Sequence, residues 1–160
     1  MYVFGYGSLV NDESRQRTCT VDKNDVFPVR VSHLQRTWSY PGKDSNNEPI
    51  MYLNVKVTDN SKDTVNGTIF KITDEDLEPL SKRELQYTRI TLNLDHLTIL
   101  NELMKEEYKL QSTDVVYTYS YLGDVPKLDK FESYHGICKL GFKQYGDNFL
   151  NEFIATTYDY

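Results

Sequence analysis

The stretch 2–9, YVFGYGSL, constrains this chain most strongly, because an apolar strand runs directly into a glycine-containing turn. The apolar run predicts a first β-strand, and the glycines at positions 5 and 7 predict its end. Glycine has no Cβ, so the backbone can turn sharply and a ligand can approach it closely. Successive N–H groups in such a turn can form a concave anion-binding site. We therefore predict a site for a small anion such as a carboxylate, formed by Tyr6, Gly7, Ser8 and Leu9.

The same glycine spacing has other interpretations. An ordinary strand-to-turn junction would show it without binding any ligand, and this alternative stays open. A dinucleotide-binding fingerprint needs a third glycine at position 10, which is Val10 here, and the next glycine is Gly42. The dinucleotide motif is therefore excluded. Asn11 and Asp12 can cap a following helix, whose positive end would favour an anion nearby.

The composition indicates a single domain that binds a small molecule. A chain of 160 residues has room for one substantial core. The net charge is −6 and no lysine- or arginine-rich block is present, which argues against a nucleic-acid partner. The 13 tyrosines combine apolar rings with hydroxyl groups and suit a pocket for a polar small molecule, although a general compositional bias would explain them equally well.

The sequence lacks the patterns of a signal peptide, a membrane span and a metal site. The N-terminal region lacks a basic segment followed by an apolar run, and no apolar stretch approaches the roughly 20 residues that span a bilayer. Cys19 and Cys138 lie far apart, and the three histidines are scattered. We therefore expect a cytoplasmic protein with no membrane partner and no metal.

Hydrophobic periodicity predicts alternating strands and helices. Strands are predicted at 26–40, 50–57, 65–72, 87–94 and 115–122, and helices at 73–84, 96–110, 129–144 and 148–156. Most links between strands are too short for crossover helices, which favours an α+β fold with a largely antiparallel or mixed sheet. We expect one domain over 1–160 with a helical insertion at 95–114.

Glu84 is the candidate acid–base group. Leu77, Leu80 and Glu84 share one helix face at i, i+3 and i+7, so the carboxylate should be buried beside two leucines. Burial disfavours the charged form of a carboxylate and raises its pKa, which suits proton transfer near neutral pH. Pairing with Arg83 or Arg89 would give Glu84 a purely structural role, and this alternative remains open.

No nucleophile is convincing elsewhere in the chain. Ser8 has no histidine positioned by any pattern, and Cys138 is typical of a buried helix residue. Tyr87, three residues after Glu84, could hold a ligand or belong to the core.

Two of these motifs resemble a known family. Positions 4–9, FGYGSL, look like the Y-G-S-[LN] signature of the γ-glutamyl cyclotransferases, which include the glutathione-degrading ChaC-type branch. Positions 80–84 followed by Tyr87 resemble that family's L-D-x-R-E-x-x-Y region, in which the glutamate is catalytic. Ser81 occupies the usual aspartate position. Glu84 matches the catalytic glutamate.

A third match lies near the C-terminus, where Tyr134, Gly141 and Gly146 are similar to the family's C-terminal helix and turn. The three matches occur in the family's order and span almost the whole chain. The resemblance implies a mixed sheet curled into a partly closed β-barrel, flanked by helices, with a cavity at one end.

The resemblance also implies a reaction and a set of site residues. A γ-glutamyl amide would cyclise to 5-oxoproline and release an amine, without cofactor or metal, and Glu84 would act as general acid and base. The α-carboxylate would bind the Tyr6–Leu9 turn. The implied substrate-binding residues are Tyr6, Gly7, Ser8, Leu9, Tyr87, Tyr119 and Tyr134, with Tyr119 chosen arbitrarily over its strand neighbours Tyr117 and Tyr121.

Several alternatives stay open. The substrate could be glutathione, a γ-glutamyl amino acid or a γ-glutamylamine, and the pair Arg83–Glu84 leans towards the ChaC-like branch. The insertion at 95–114 could cover the pocket, alter substrate choice or form a dimer contact, so a monomer or a homodimer is expected. A different function is a non-catalytic small-molecule-binding module that uses the same anion site. An amide hydrolase would need an activated water or a nucleophile that the sequence does not show.

Overall fold

Two β-sheets form the centre of the computed structural model, which describes residues 1–104 and 107–160. The strands are β1 (Tyr2–Gly5), β2 (Val26–Ser32), β3 (Leu34–Lys43), β4 (Pro49–Val57), β5 (Thr64–Lys71), β6 (Thr88–Thr91), β7 (Leu97–Ile99), β8 (Val116–Ser120) and β9 (Thr157–Asp159). The larger sheet has the order β6-β8-β1-β5-β2-β7, and the smaller has the order β4-β3-β9.

The larger sheet is mixed, with β1 near its centre. β1 pairs antiparallel with β5 and parallel with β8. All four residues of β1 are buried, as expected for a central strand covered on both faces. The predicted α+β class with a mixed sheet is confirmed.

The predicted partly closed barrel is not confirmed. Within residues 1–104 and 107–160 the strands form two separate sheets rather than one closed ladder. Side chains connect the sheets instead: Asn54 Nδ2 of β4 donates to the Tyr121 carbonyl at 3.0 Å, and Ser120 Oγ of β8 donates to the Val55 carbonyl at 2.7 Å.

The strand predicted at 26–40 is in fact two strands in different sheets. His33 separates β2 from β3 and has a left-handed φ of 61°. Histidine is among the non-glycine residues that adopt this conformation more often than most. The apolar pattern continues through the turn, so alternation alone did not reveal it. The strand predicted to end at Tyr40 also continues further, because β3 extends to Lys43.

In the described residues, four α-helices pack around the sheets: α1 (Asp12–Gln16), α2 (Asp74–Arg83), α3 (Glu132–Lys143) and α4 (Asp147–Ala155). The first two begin after residues whose side chains cap them. The Asn11 side chain accepts from the Ser14 N–H at 3.0 Å. Thr73 and Asp76 form a reciprocal capping box at the start of α2.

The helix predicted at 96–110 is wrong for the described residues of that range. Leu97–Ile99 forms β7 and pairs antiparallel with β2, and Asn101–Leu103 is a short 3-10 helix. Leu97 packs against the core and Leu100 is buried in it, so their apolar spacing serves an edge strand and turn. Lys105 and Glu106 lie outside the described residues. This segment lies at the β7 edge of the larger sheet, so the described residues of the helical insertion expected at 95–114 form an edge strand with turns instead.

Candidate active site

The turn that follows β1 is closed by hydrogen bonds to two of its own carbonyl groups. The N–H groups of Val10 and Asn11 donate to the carbonyls of Gly7 and Ser8, both at 3.1 Å, and form a 3-10 turn. The N–H groups of Gly7, Ser8 and Leu9 take no part in these two turn bonds. The hypothesis of an anion site therefore concerns the amides of Gly7, Ser8 and Leu9.

Arg83 fixes the hydroxyl of Ser8. Its Nη2 donates to Ser8 Oγ at 2.9 Å, and its Nη1 donates to the Ser14 carbonyl at 2.8 Å and to Thr18 Oγ1 at 3.0 Å. Because Ser8 Oγ accepts this bond, its own hydrogen remains free to donate to a ligand. The sequence suggested Arg83 only as a partner for Glu84, so its contact with Ser8 was missed.

Glu84 is the C-cap residue of α2, directly after the last helical turn. Only 14% of its side-chain surface is exposed. Burial raises the pKa of Glu84 to about 7, and the nearby Arg83 cation acts in the opposite direction. The Arg83 Nε lies 3.7 Å from Glu84 Oε1. Arg89 instead lies over the ring of Tyr117, so of the two expected ion-pair partners only Arg83 is beside the carboxylate.

Tyrosines surround this carboxylate. The Tyr6 hydroxyl donates to the Tyr119 carbonyl at 2.7 Å, and the Tyr87 hydroxyl donates to the Leu53 carbonyl at 2.9 Å. Burial raises the pKa of Tyr6, Tyr87 and Tyr134 well above the usual value for a phenol, so all three keep their protons near neutral pH.

Gly7 allows the Tyr134 hydroxyl group to approach the turn after β1 closely. A Cβ at position 7 would lie 2.4 Å from the Tyr134 hydroxyl oxygen, so no larger residue fits while Tyr134 keeps its position. The glycine therefore lets α3 bring a phenol onto the turn after β1.

These residues line a cavity of about 320 Å³ including its mouth, hereafter the inner cavity. All eight residues predicted from the sequence are in its lining: Tyr6, Gly7, Ser8, Leu9, Glu84, Tyr87, Tyr119 and Tyr134. Phe4, Gly5 and Leu53 complete the lining. The hydroxyl of Tyr119 is buried and has no hydrogen-bond partner within the described part of the chain. Tyr117 and Tyr121 are not in the lining.

A second cavity of about 740 Å³ including its mouth, hereafter the outer cavity, shares Ser8, Glu84, Tyr87 and Tyr134 with the inner one. Its other lining residues are Tyr40, Gly42, Lys43, Tyr52 and Arg83. Four of these five come from the paired strands β3 and β4. The sequence analysis missed them, because only the strand pairing shows that positions 40–43 and 52 approach Glu84.

Neither metal ligands nor a membrane-spanning helix accompany this site in the described residues. No group of three or more histidine, cysteine, aspartate or glutamate side chains in residues 1–104 and 107–160 is arranged to hold a metal ion. In the same ranges, none of the helices combines the length and apolar character that crossing a bilayer requires.

Comparison with known proteins identifies the fold. No protein-family model and no curated protein matches the sequence. A solved gamma-glutamyl cyclotransferase structure aligns with a TM-score of 0.69 at 16% identity, over 97% of this chain and 86% of its own. An uncharacterized human protein aligns with a TM-score of 0.66 at 15% identity, over 97% and 86% of the two chains.

A yeast gamma-glutamyl cyclotransferase specific to glutathione aligns with a TM-score of 0.52 at 14% identity, over 98% of this chain and 96% of its own. The chain thus has the fold of the γ-glutamyl cyclotransferases. The resemblance predicted from the three motifs is confirmed at the level of the fold.

Proposed function

We propose that this protein is a γ-glutamyl cyclotransferase that converts a γ-glutamyl amide into 5-oxoproline and a free amine. The observation that carries the proposal is Glu84, a largely buried carboxylate with a pKa raised to about 7, which lines the same cavity as the Gly7–Leu9 turn. A group with this pKa can accept a proton and return it near neutral pH. A binding module would have no use for such an acid.

The turn after β1 would bind the substrate's α-carboxylate. The N–H groups of Gly7, Ser8 and Leu9 and the free Ser8 hydroxyl hydrogen are suitable donors for an anion. Arg83 adds positive charge behind Ser8 without occupying the donor hydrogen. Binding at this point would orient the α-ammonium group towards Glu84 across the inner cavity.

The reaction would then proceed within the substrate. Glu84 accepts a proton from the α-ammonium, and the resulting amine attacks the γ-carbonyl carbon to form the new C–N bond of the five-membered ring. The bond to the leaving nitrogen breaks as Glu84 returns this proton to that nitrogen. The Glu84 carboxylate then takes the second proton, which the ring nitrogen must lose, and passes it to the released amine, which leaves as an ammonium ion. Proton and electron pairs balance without water, nucleotide or metal. Because the attack is intramolecular, the main task of the protein is to hold the glutamyl chain in a folded geometry.

The carboxylate of Glu84 needs a partner that limits its pKa. Burial alone would favour the protonated acid, which cannot accept the ammonium proton. The Arg83 guanidinium opposes this effect from 3.7 Å and also holds Ser8. Arg83 is therefore the positioning residue that connects the anion site to the acid–base group.

The proposal is tested by incubating the protein with glutathione, γ-glutamyl-alanine and a γ-glutamylamine and detecting products by mass spectrometry. We expect 5-oxoproline and the free amine, with and without EDTA. Free glutamate would indicate hydrolysis and overturn the proposal. Binding of 5-oxoproline without turnover of any compound would identify a non-catalytic binding module instead.

A further inference from the structure

The outer cavity has an aromatic wall that the cyclisation of the glutamyl group does not use. The rings of Tyr40 and Tyr52 have centroids 5.9 Å apart and are tilted by 56°, and Tyr52 meets Tyr134 edge-on at 4.9 Å. Both Tyr40 and Tyr52 are only partly buried. Tyr40 also stacks on Tyr87 at 4.1 Å, and Tyr52 meets Phe131 edge-on at 5.3 Å. The parts of the two rings that remain exposed are favourable partners for a further aromatic group.

Gly42 keeps this wall open. A Cβ at position 42 would lie 2.8 Å from ring atoms of Tyr52 and 3.1 Å from the ring of Tyr40. Any side chain there would therefore push the two rings apart or fill the space between them. The Tyr52 hydroxyl donates to the Lys43 carbonyl at 2.8 Å, which fixes the ring beside the strand end.

The rim of the outer cavity carries positive charge. Lys43 is exposed and lines the cavity, and within the described residues its ammonium group forms no ion pair. Arg83 lies at the base. The neighbouring Asp44 carboxylate is engaged by the N–H groups of Asn46 and Glu48 in the β3–β4 turn. Because the Glu84 carboxylate also lines the cavity and lies 3.7 Å from Arg83, Lys43 is the cation that an anionic group in this cavity would pair with.

The arrangement of the two cavities fixes which part of the substrate enters the outer one. Both contain Ser8, Glu84, Tyr87 and Tyr134, so the scissile bond of a substrate whose glutamyl group fills the inner cavity lies at this shared boundary. The leaving group then extends into the outer cavity.

We propose that the outer cavity selects γ-glutamyl amino acids whose leaving residue is aromatic and has a free α-carboxylate. The leaving side chain packs against Tyr40 and Tyr52, and its carboxylate pairs with Lys43. This inference rests on the proposed function, because it assumes that the glutamyl group occupies the inner cavity.

Three matched compounds test the two features separately: γ-glutamyl-phenylalanine, γ-glutamyl-alanine, which lacks the ring, and γ-glutamyl-phenethylamine, which lacks the carboxylate. Rates of 5-oxoproline release are compared as kcat/KM. We expect a preference of about tenfold for the ring over alanine, the scale of one or two aromatic contacts. We expect about two- to fivefold for the carboxylate, the scale of an exposed ion pair, decreasing with added salt.

Variants test which residue is responsible for the carboxylate preference and which for the ring preference. Lys43→Met should bring the phenylalanine and phenethylamine compounds to equal kcat/KM, while Lys62→Met, at another exposed lysine, should leave their ratio as in the wild type. Tyr52→Leu should reduce the preference for phenylalanine over alanine, and Tyr52→Phe should retain it.

The outcomes separate this inference from the proposed function. Equal turnover of all three compounds would overturn the specificity and leave the cyclotransferase activity standing. If neither these compounds nor glutathione yields 5-oxoproline, the proposed function fails. In that case calorimetry decides the inference: tighter binding of γ-glutamyl-phenylalanine than of γ-glutamyl-alanine would support the outer cavity as an aromatic-carboxylate site, and equal binding would overturn it.

Discussion

At the scale of single residues, Glu84 combines two opposing influences. It caps α2, and its side chain is 14% exposed beside a cavity lined by tyrosines. Burial raises its pKa to about 7, while Arg83 keeps the ionised form accessible. The two roles considered from the sequence, buried acid and ion-pair partner, are therefore both features of the same side chain.

Replacing Glu84 with glutamine removes the proton acceptor and retains the shape of the side chain. General acid–base groups contribute about 10²–10⁴-fold in rate, so we expect 5-oxoproline release by Glu84→Gln to fall by at least about 10². Wild-type kcat/KM should also decline as the pH falls below about 7, where Glu84 becomes protonated. An active variant with an unchanged pH profile would remove Glu84 from the mechanism.

The same substitution has a distinct effect on stability. The pKa of Glu84 is higher in the folded protein than its ordinary value of 4.5, so between these pH values the folded state binds more protons than the unfolded state. Its contribution to stability therefore decreases as the pH rises from about 4.5 to 7. Glu84→Gln should increase the free energy of unfolding by about 1–3 kcal/mol at pH 8 and change it little at pH 4. Denaturant titrations at both pH values check this, and a variant destabilised at pH 8 would indicate a structural ion pair.

Ser8 and Ser14 form a matched pair for testing the anion site. Both hydroxyls accept from Arg83 Nη2 at 2.9 Å, but only Ser8 lines the inner cavity. Ser8→Ala should weaken 5-oxoproline binding by about 1–2 kcal/mol, the value of a hydrogen bond to a charged group, as measured by calorimetry. Ser14→Ala should change it by much less. Equal losses would mean that both serines act only by holding Arg83.

At the scale of secondary-structure elements, α3 determines where the turn after β1 lies. A Cβ at Gly141 would meet the backbone nitrogen of Asn11 at 2.5 Å, so the helix packs directly on this segment. The Asn11 side chain donates to the Ile137 carbonyl at 3.1 Å across the same contact. Because α3 also carries Tyr134, its approach determines the width of the inner cavity.

Two glycines of α3 provide an internal comparison. Gly141→Ala must separate α3 from Asn11 and should destabilise the protein by about 1–3 kcal/mol, as overpacking does in other cores. Gly136 has no atom within 4 Å of its would-be Cβ, so Gly136→Ala should stabilise by about 0.5–1 kcal/mol through helix propensity. Thermal and denaturant unfolding measure both, and similar effects at the two sites would contradict the close packing at Gly141.

The elements that the sequence predicted well are those with local signals. Glycine spacing predicted the turn after β1, and Asn11 was predicted as a cap of the helix that follows. β7 was predicted as a helix because a short edge strand followed by turns shows no regular spacing of apolar residues. Its pairing partner β2 lies far away in the sequence, so no local signal indicated the strand. The outer cavity was missed for the same reason, since Tyr40 and Tyr52 reach Glu84 only through the pairing of β3 and β4.

At the scale of the whole molecule, Arg36 connects the two sheets, the C-terminal helix and the turn after β1. It lies on β3, is fully buried, and its guanidinium stands over the ring of Phe153 at 4.4 Å. Its hydrogen bonds, between 2.8 and 3.2 Å, go to the carbonyls of Tyr6, Asn66 and Phe153 and to side-chain oxygens of Asn66, Thr156 and Thr157. These acceptors belong to the turn after β1, to β5, to the end of α4 and to β9. Burial lowers the pKa of Arg36 to about 9 and penalises its charge, which the complete set of acceptors offsets.

Removing this guanidinium should therefore disturb stability and ligand binding together. Arg36→Met would leave several buried carbonyl and side-chain oxygens without donors, and we expect a loss of about 3–5 kcal/mol in the free energy of unfolding. Arg17→Met removes an exposed pair with Glu13 and should cost less than about 1 kcal/mol. The Tyr6 carbonyl lies at the start of the turn after β1, where the ligand carboxylate is proposed to bind. The affinity for 5-oxoproline, measured on the folded fraction, should therefore also fall for Arg36→Met. It should remain as in the wild type for Arg17→Met. A destabilised variant with full affinity would show that Arg36 supports the sheets and α4 without organising the site.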